Sequence, residues 1–384
     1  MKRLWKSYEI RLLLLFLLLL LVYLTIARQY HEPRGYYGTN EQPRFADPWI
    51  PRAETIMDGG LLYRDVFTAT PPLINFILIP PALFSGLFDH LNPWATLSFM
   101  LYFSLFNLLG AYVLLYLAEN KREGFEAAVC FLINPLTFSN SVLRRQDESI
   151  LAFFFGLSLL LIIKRRHVSG AIAIGATLLI KLSGVLLIPI AFARSWNWKY
   201  LIIPPVVFAL ALGPFLVLAG RDAMFWDPSR ERTQHPFKFG GVSLGALWNQ
   251  FHSEEQSVNI KLLSTMFTAG VALASGFVVW KRYGVLEDMT IVLIVVLMLT
   301  PKLHAGYFSL VALTMAPLLK KYRLWAPYFL FGTLVIVADF YKWPIEDFRP
   351  AFWMMVVVML LLTATLVRLC WPRARHNVDK SYAP

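Results

Sequence analysis

The sequence predicts an all-α integral membrane protein, built as a polytopic bundle of transmembrane helices. Of its 384 residues, 57% are hydrophobic, 15% aromatic and only 16% charged, whereas soluble proteins carry about 25% charged residues. The apolar residues also form uncharged runs, such as residues 12–24 and 291–299, which recur along the chain at a spacing expected of membrane segments of about 20 residues. The bilayer is therefore the main solvent for this chain.

The apolar pattern predicts a series of membrane segments separated by short polar loops. The first, at residues 10–27, is longer than the usual apolar region of a signal peptide, about 7 to 15 residues, so we expect a retained signal anchor. The later segments are predicted at residues 72–88, 95–118, 125–142, 149–163, 169–193, 200–218, 260–280, 285–299, 307–319, 325–338 and 351–367.

The charge distribution predicts the orientation of these segments. The 36 basic residues exceed the 24 acidic residues by 12, and the basic residues gather in short clusters between apolar runs, as cytoplasmic loops do. These clusters include Lys164 to Arg166, Lys281 with Arg282, and Lys320 with Lys321. No basic stripe with interleaved aromatic residues is present, so nucleic acid is not expected as a partner.

All basic loops lie inside only if two segments do not cross as single spans. Segment 72–88 is interrupted by Pro80 and Pro81, and segment 169–193 is interrupted at Lys181. We expect the first to be re-entrant and the second to form two half-helices whose break points outward. The alternative, with every segment crossing once, would place Asp147 and the loop at 220–259 inside, against the charge bias.

This topology predicts a single integral-membrane domain, 1–384, with most of its polar residues on one face. Long outer loops are expected at 28–71 and 220–259, and a cytoplasmic tail at 370–384. The outer face would also carry the charged tip at residues 144–148, Lys181, and residues 301–304. Charged residues at the membrane rim are candidate functional residues, because burying them is costly.

In the first outer loop, Asp47 precedes a short amphipathic helix predicted at residues 49–57, which Gly59 and Gly60 end. A carboxylate held at the lipid boundary can accept a proton from an incoming hydroxyl. Asp47 could equally be the helix cap, with Pro48 in the first helical position. The spacing alone leaves both interpretations open.

Several ordered motifs resemble the GT-C superfamily of polytopic glycosyltransferases. The first-loop aspartate is followed by the amphipathic helix, Gly-Gly, Leu-Leu-Tyr-Arg-Asp ending at Asp65, and Pro-Pro-Leu from Pro71. The tip Arg145-Gln146-Asp147-Glu148-Ser149 resembles the GQxD-type stretch of mannosyltransferase-like and arabinofuranosyltransferase-like members. Leu178 to Lys181, and the element Pro301-Lys302-Leu303-His304 with Tyr307, match later motifs of the same families. The resemblance covers most of residues 45–307.

The resemblance implies inverting transfer of a sugar from a polyprenyl-phosphate donor to a glycan or lipid acceptor at the outer face of the plasma membrane. It implies Asp47 as the general base. The implied donor-phosphate residues are Arg144, Arg145, Lys181, Lys302 and His304, and the implied substrate-binding residues are Asp65, Asp147, Glu148 and Tyr307. No metal site and no cofactor are expected, because Asp47 is followed by Pro48 rather than by a second acid; whether a divalent cation is needed stays open.

Each charged candidate also has a structural interpretation. Arg144 and Arg145 could face lipid headgroups, Lys181 could extend its ammonium group to the interface, and Lys302 with His304 could end a helix. The loop at 220–259 suits either sugar recognition or simple solvation. For the whole chain, transport of a lipid-linked glycan and a scaffold role are the competing functions, since transporters also use broken helices and rim cations.

Overall fold

A computed structural model describes residues 7–29, 49–66, 68–85, 93–224, 240–252, 260–342 and 345–371. It confirms the predicted all-α helical bundle. Asp47 and most of the predicted tail at 370–384 lie outside the described residues, as do parts of both long loops.

The helices are numbered α1 to α18 in chain order. They span Tyr8–Gln29 (α1), Ile50–Met57 (α2), Pro72–Ile77 (α3), Ile79–Ser85 (α4), Pro93–Leu117 (α5), Lys121–Ile133 (α6), Pro135–Phe138 (α7), Glu148–Ile163 (α8), His167–Ile180 (α9), Leu187–Ser195 (α10), Lys199–Ala219 (α11), Leu244–Trp248 (α12), Ile260–Lys281 (α13), Val285–Leu299 (α14), Phe308–Met315 (α15), Leu319–Tyr322 (α16), Trp325–Lys342 (α17) and Phe348–Cys370 (α18). Two short strands, β1 (Gly240–Gly241) and β2 (Lys302–Leu303), pair in parallel.

Five helices among the described residues are long and apolar enough to cross a membrane: Tyr8–Arg28, Thr96–Leu117, Lys199–Ala223, Leu262–Lys281 and Phe348–Cys370. A bent helix pair at residues 121–143 would make a sixth. Large apolar side chains are exposed on two of these helices, with Val217 84% and Leu273 74% accessible. Apolar residues at such exposure suit contact with lipid, and the chain is an integral membrane protein.

Segment 169–193 forms two half-helices, as predicted. Helix α9 ends at Ile180, Lys181 is extended (φ −156°, ψ 137°), and a 3₁₀ turn at Leu182–Leu186 leads into α10. The side chain of His167, at the start of α9, lies 3.3 Å from the hydroxyl of Tyr200, which follows the end of α10 closely in the chain. The two half-helices therefore form a hairpin with Lys181 at its tip.

Segment 72–85 is hydrogen-bonded to the first turns of α5. The hydroxyl of Tyr102 donates to the carbonyl of Ile77 at 2.8 Å, and that of Ser98 donates to the carbonyl of Pro81 at 3.0 Å. The segment thus runs antiparallel to the first turns of α5, and its re-entrant course stays a prediction. The break falls at Leu78 rather than at the two prolines, because proline is tolerated in the first turn of the following helix.

The segment predicted at 125–142 is bent, because the chain turns by 57° between α6 and α7. Asn134 occupies the bend: its side-chain oxygen accepts a hydrogen bond from the backbone of Leu136, and its amide donates to the carbonyl of Tyr328 at 3.2 Å. A π-helical turn at Ser139–Leu143 follows. Proline at 135 starts the new helix, so the sequence did carry a signal for the break.

Most of the basic clusters lie together at the end of the bundle opposite the Lys181 tip. Lys121 pairs with Glu9 at 2.9 Å, Lys321 pairs with Glu287 at 2.6 Å, and Arg194 pairs with Asp288. These pairs join α1 to α6, α16 to α14, and α10 to α14. The bundle therefore has one end rich in basic loops and another end that carries the candidate functional residues.

Candidate functional site

The centre of the site is an ion-pair cluster at the tip of the α9–α10 hairpin. The Nζ of Lys181 lies 2.6 Å from Oε1 of Glu148 and 3.6 Å from Oδ1 of Asp147. Asp147 is 4% exposed and Glu148 is 2% exposed. Lys181 is therefore engaged by two buried carboxylates and does not extend to the lipid interface.

The local chain positions both acids under the lysine. After the π-helical turn, the backbone N–H of Gln146 donates to the carbonyl of Asn140 at 2.9 Å, which brings the chain back to start α8 at Glu148. The Asn140 side chain in turn donates to the hydroxyl of Ser309 at 2.8 Å. This turn and Ser309 hold the acidic tip against the segment that carries Tyr307.

Tyr307 and His304 extend the cluster. The Nζ of Lys181 lies 4.7 Å from the centre of the Tyr307 ring, and the His304 and Tyr307 rings meet edge to face at 5.5 Å. Gly306 packs so closely on Glu148 that a Cβ there would lie 2.6 Å from Oε2 of Glu148. The late motif of the sequence thus contacts both the lysine and the acidic tip.

His304 does not supply the cation that the sequence suggested. The surrounding protein, and the charges of Lys181, Lys342 and Lys302, lower the pKa of His304 to about 3. The imidazole is therefore neutral at pH 7, although its side chain keeps an exposed surface. A neutral, accessible imidazole can donate or accept one hydrogen bond but cannot balance a phosphate charge.

Burial also raises the pKa of Asp147, and the charge of Glu148 acts in the same direction. Lys181 and Arg52 oppose this shift. Asp147 is therefore a carboxyl group that takes up a proton more readily than an ordinary aspartate, which is a property of acid–base residues and also of buried structural pairs.

Part of the second long loop closes over the same region. Strand Gly240–Gly241 pairs with Lys302–Leu303, and the hydroxyl of Ser243 donates to the carbonyl of Pro301 at 2.8 Å. Gly241 has a left-handed backbone (φ 71°), and a Cβ there would overlap the carbonyl of Leu303, so this close approach requires glycine. Residues 240–243 of the second long loop thus contact residues 301–304, which the sequence predicted only to lie on the same face.

Helix α2 brings two residues that the sequence did not single out. Trp49 and Arg52 lie one turn apart, with Cζ of Arg52 4.9 Å from the centre of the Trp49 ring. Asp147 and Arg52 are close enough to interact electrostatically, and so are Arg52 and Tyr63. The predicted helix after Asp47 is thus confirmed as α2, and it contributes a cation to the site.

The N-cap position of α2 is occupied by Trp49, which makes no side-chain cap bond. The interpretation of Asp47 as the cap of this helix stays a prediction. Its role as general base stays a prediction, because Asp47 lies outside the described residues.

Arg144 is paired within the protein, and its predicted contact with the donor phosphate stays a prediction. Its Nε lies 2.6 Å from Oδ2 of Asp339, and its guanidinium stacks on the Phe340 ring at 4.7 Å. Its side chain is only 12% exposed, which excludes general contact with lipid headgroups. Arg145 adopts a left-handed backbone (φ 51°) at the turn into α8.

Asp65 lies apart from the cluster's ion pairs. Its carboxylate pairs with Arg64 at 2.8 Å and accepts a hydrogen bond from the backbone of Leu61 at 2.6 Å. Both partners belong to the same exposed turn, so Asp65 acts there as a turn-forming residue. Its predicted substrate contact stays a prediction.

The sequence analysis did not identify three charged residues of the site, Arg52, Asp339 and Lys342. Each lies within or at the end of a helix, and the sequence does not show which side chains surround it in the fold. The available signal was a charged residue in a short amphipathic helix, for Arg52, and two charges at the end of an apolar helix, for Asp339 and Lys342. Such charges are candidates for functional contacts.

No protein-family model matches this chain, and no curated protein is similar to it at a significant level. Among the residues that the structure describes, no group of three or more His, Cys, Asp or Glu side chains is placed to hold a metal ion. The function therefore has to be argued from the site itself.

Proposed function

We propose that this protein is an inverting membrane glycosyltransferase, which moves a sugar from a polyprenyl-phosphate donor to a glycan or lipid acceptor. The observation that carries the proposal is the cluster of Lys181, Asp147 and Glu148 at one end of a membrane bundle, next to the exposed His304. Buried charges at the end of a membrane bundle are costly, and they are retained where a polar ligand has to be handled.

The chemistry of this reaction suits the residues of the site. When the acceptor oxygen attacks the anomeric carbon, the bond from that carbon to the donor phosphate breaks and the phosphate gains charge. Lys181 and Lys302 are the cations that would stabilise that charge. The acceptor proton would pass to Asp47, the base that the first-loop motif suggests.

The orientation follows from the two ends of the bundle. Basic loops stay in the cytoplasm, and Lys121, Arg194 and Lys321 lie at the end opposite Lys181. The site would then face outside at the plasma membrane, where a lipid-linked donor can reach it.

The proposal is tested with purified full-length protein in lipid nanodiscs, supplied with a panel of polyprenyl-phosphate sugars and candidate acceptors. Mass spectrometry should detect a glycosylated product from at least one donor, with inverted anomeric configuration by NMR. A folded protein that yields no product from any donor with any acceptor contradicts the enzyme assignment.

Asp47→Asn is the decisive variant for the base. Asparagine keeps the size of the side chain and removes its charge, so donor binding should survive while turnover falls by roughly 10² to 10⁴-fold. Asp58→Asn is the matched control, because Asp58 is an exposed aspartate at the C-terminal end of α2, and it should keep its turnover. Full turnover in Asp47→Asn would move the search for the base to Asp147 and Glu148.

Transport of a lipid-linked glycan is the second candidate, favoured by the break of the α9–α10 hairpin at Lys181. Broken helices with a charged residue at the break also bind substrates in transporters. Proteoliposomes separate the two functions: a transporter moves a fluorescent lipid-linked sugar between leaflets without changing its mass, whereas a transferase changes its mass without moving it.

A further inference from the structure

Two buried hydrogen-bond donors on α2 have no acceptor in the part of the chain that the structure describes. They are Nε1 of Trp49 and Nη1 of Arg52. Trp49 is only 8% exposed, and the guanidinium of Arg52 lies over its ring at 4.9 Å. Leaving buried donors unpaired destabilises a fold, so an acceptor from outside the protein would complete this pair.

Two other cations near the tip are held by acids of the protein. Lys181 is held by Glu148 at 2.6 Å, and Arg144 is held by Asp339 at 2.6 Å. Asp147, the acid whose charge acts on Arg52, lies 3.6 Å from the Nζ of Lys181. Arg52 therefore combines a full positive charge with a buried nitrogen that no described acceptor uses.

We infer that Arg52, held in place by the Trp49 ring, binds the phosphate oxyanion of the donor. This inference rests on the proposed function and names the contact that anchors its substrate. A guanidinium can donate two parallel hydrogen bonds to phosphate oxygens. A phosphate group has several oxygens that point in different directions, so it can also accept a hydrogen bond from the indole N–H. A single carbonyl or hydroxyl oxygen offers fewer directions for accepting hydrogen bonds.

The stacking on Trp49 has a consequence for affinity. An arginine that is already fixed over an aromatic ring loses less side-chain freedom when it binds a ligand. Trp49 is thus a positioning residue for Arg52 as well as a second donor, and both belong to the helix that follows Asp47 in the sequence.

The test measures binding by calorimetry to full-length protein in phosphatidylcholine nanodiscs, with farnesyl phosphate, farnesol and inorganic phosphate as probes. Wild-type protein should bind farnesyl phosphate more tightly than farnesol. Arg52→Gln should weaken farnesyl phosphate by roughly ten- to hundredfold, the usual effect of losing a charged hydrogen bond, and leave farnesol unchanged. Arg64→Gln is the matched control, an arginine of the same outer segment paired with Asp65, and should bind like wild type.

Inorganic phosphate distinguishes the two sources of the oxyanion. If it displaces farnesyl phosphate from wild type but has no effect on Arg52→Gln, the free ion is itself a ligand of Arg52. If it does not displace farnesyl phosphate, Arg52 recognises the phosphate only when it is attached to the lipid chain. Both outcomes support the inference, provided that farnesyl phosphate binding depends on Arg52.

Three results overturn the inference: equal wild-type affinity for farnesyl phosphate and farnesol, unchanged farnesyl phosphate binding in Arg52→Gln, or equal loss of both ligands in that variant. If Arg52→Gln does not fold, Arg52→Lys decides the question. Lysine keeps the charge but loses the planar pair of donors, so farnesyl phosphate binding should fall while farnesol binding stays.

The binding assay requires no turnover, so its result does not depend on whether the protein transfers a sugar. Arg52-dependent binding without any sugar transfer would reject the transferase and keep the phosphate contact. Sugar transfer with full donor binding in Arg52→Gln would reject the contact and keep the transferase.

Discussion

Lys181 illustrates how burial changes the meaning of a single residue. In the sequence it is a lone cation in an apolar stretch, but in the structure it neutralises Glu148 at 2.6 Å and lies near Asp147 at 3.6 Å. Removing one partner of a buried ion pair leaves the other as an unpaired charge, which is more costly than losing the pair as a whole. Lys181 therefore has a structural role whether or not it also contacts a donor.

We expect Lys181→Met to lower the free energy of unfolding by about 3 kcal/mol or more, because two buried carboxylates lose their cation. Adding Glu148→Gln should restore part of that stability, since one of the uncompensated charges is removed. Thermal melting of both variants in detergent measures this coupling. A double variant as unstable as the single one would contradict the pairing.

The same double variant isolates the phosphate role of Lys181. If Lys181 contacts the donor phosphate, the double variant should remain defective in donor use even where its stability is restored. Lys321→Met is the matched control, because Lys321 pairs with Glu287 at the same 2.6 Å but at the opposite end. That variant should affect stability alone.

At the scale of elements, the break at Lys181 allows the basic loops before α9 and after α10 to lie at the same end of the bundle. A continuous helix over residues 167–195 would separate Lys164 from Trp196 by the thickness of the bundle. Instead, His167 meets Tyr200 at the foot of the hairpin. The N–H of Lys181 donates the last hydrogen bond of α9, to the carbonyl of Thr177, and its extended backbone ends the helix there.

Cysteine labelling in intact cells tests this hairpin. In a background of Cys130→Ala and Cys370→Ala, we expect Lys164→Cys and Trp196→Cys to resist an impermeant maleimide until the cells are permeabilised. Asp58→Cys, on the exposed end of α2, should react without permeabilisation. Opposite behaviour of positions 164 and 196 would show that residues 167–195 cross the membrane as a single span.

At the scale of the whole molecule, the two ends differ in how their charges are compensated. At the basic end, exposed or half-buried lysines and arginines pair with acids between helices, as in Lys121 with Glu9. At the other end, burial lowers the pKa of His304, and the charges of Lys181, Lys342 and Lys302 lower it further. Stability of the site end should therefore depend on pH.

The direction follows from proton uptake. His304 has a pKa of about 3 in the folded protein against an ordinary 6.5, so the unfolded chain binds more protons between these values and stability falls as the pH drops through that window. Above about pH 6.5 this residue no longer lowers the stability of the folded protein. Because the imidazole is exposed, solvent reduces the size of the effect. His304→Gln should therefore lose less melting temperature than wild type between pH 7.5 and 5. An equal loss in both proteins would contradict the shifted pKa.

The membrane class, the bundle architecture and the broken segment at Lys181 could all be read from local composition, because apolar length, basic loops and helix-breaking residues act over a few turns of chain. The short helix after Asp47 was predictable for the same reason. Local patterns also placed Tyr307 and Glu148 in motifs, although they could not show that the two elements touch.

Pairing between distant segments was decided only in three dimensions. The sequence could not show that Arg144 pairs with Asp339, almost two hundred residues later. His304 was expected to be charged, but burial and, to a smaller extent, the charges of nearby lysines lower its pKa and keep it neutral. Arg52 gained its importance because α2 packs where Asp147 is buried. The charge and availability of a side chain depend on the groups that surround it in the folded state, and for a polytopic chain those groups come from helices far apart in sequence.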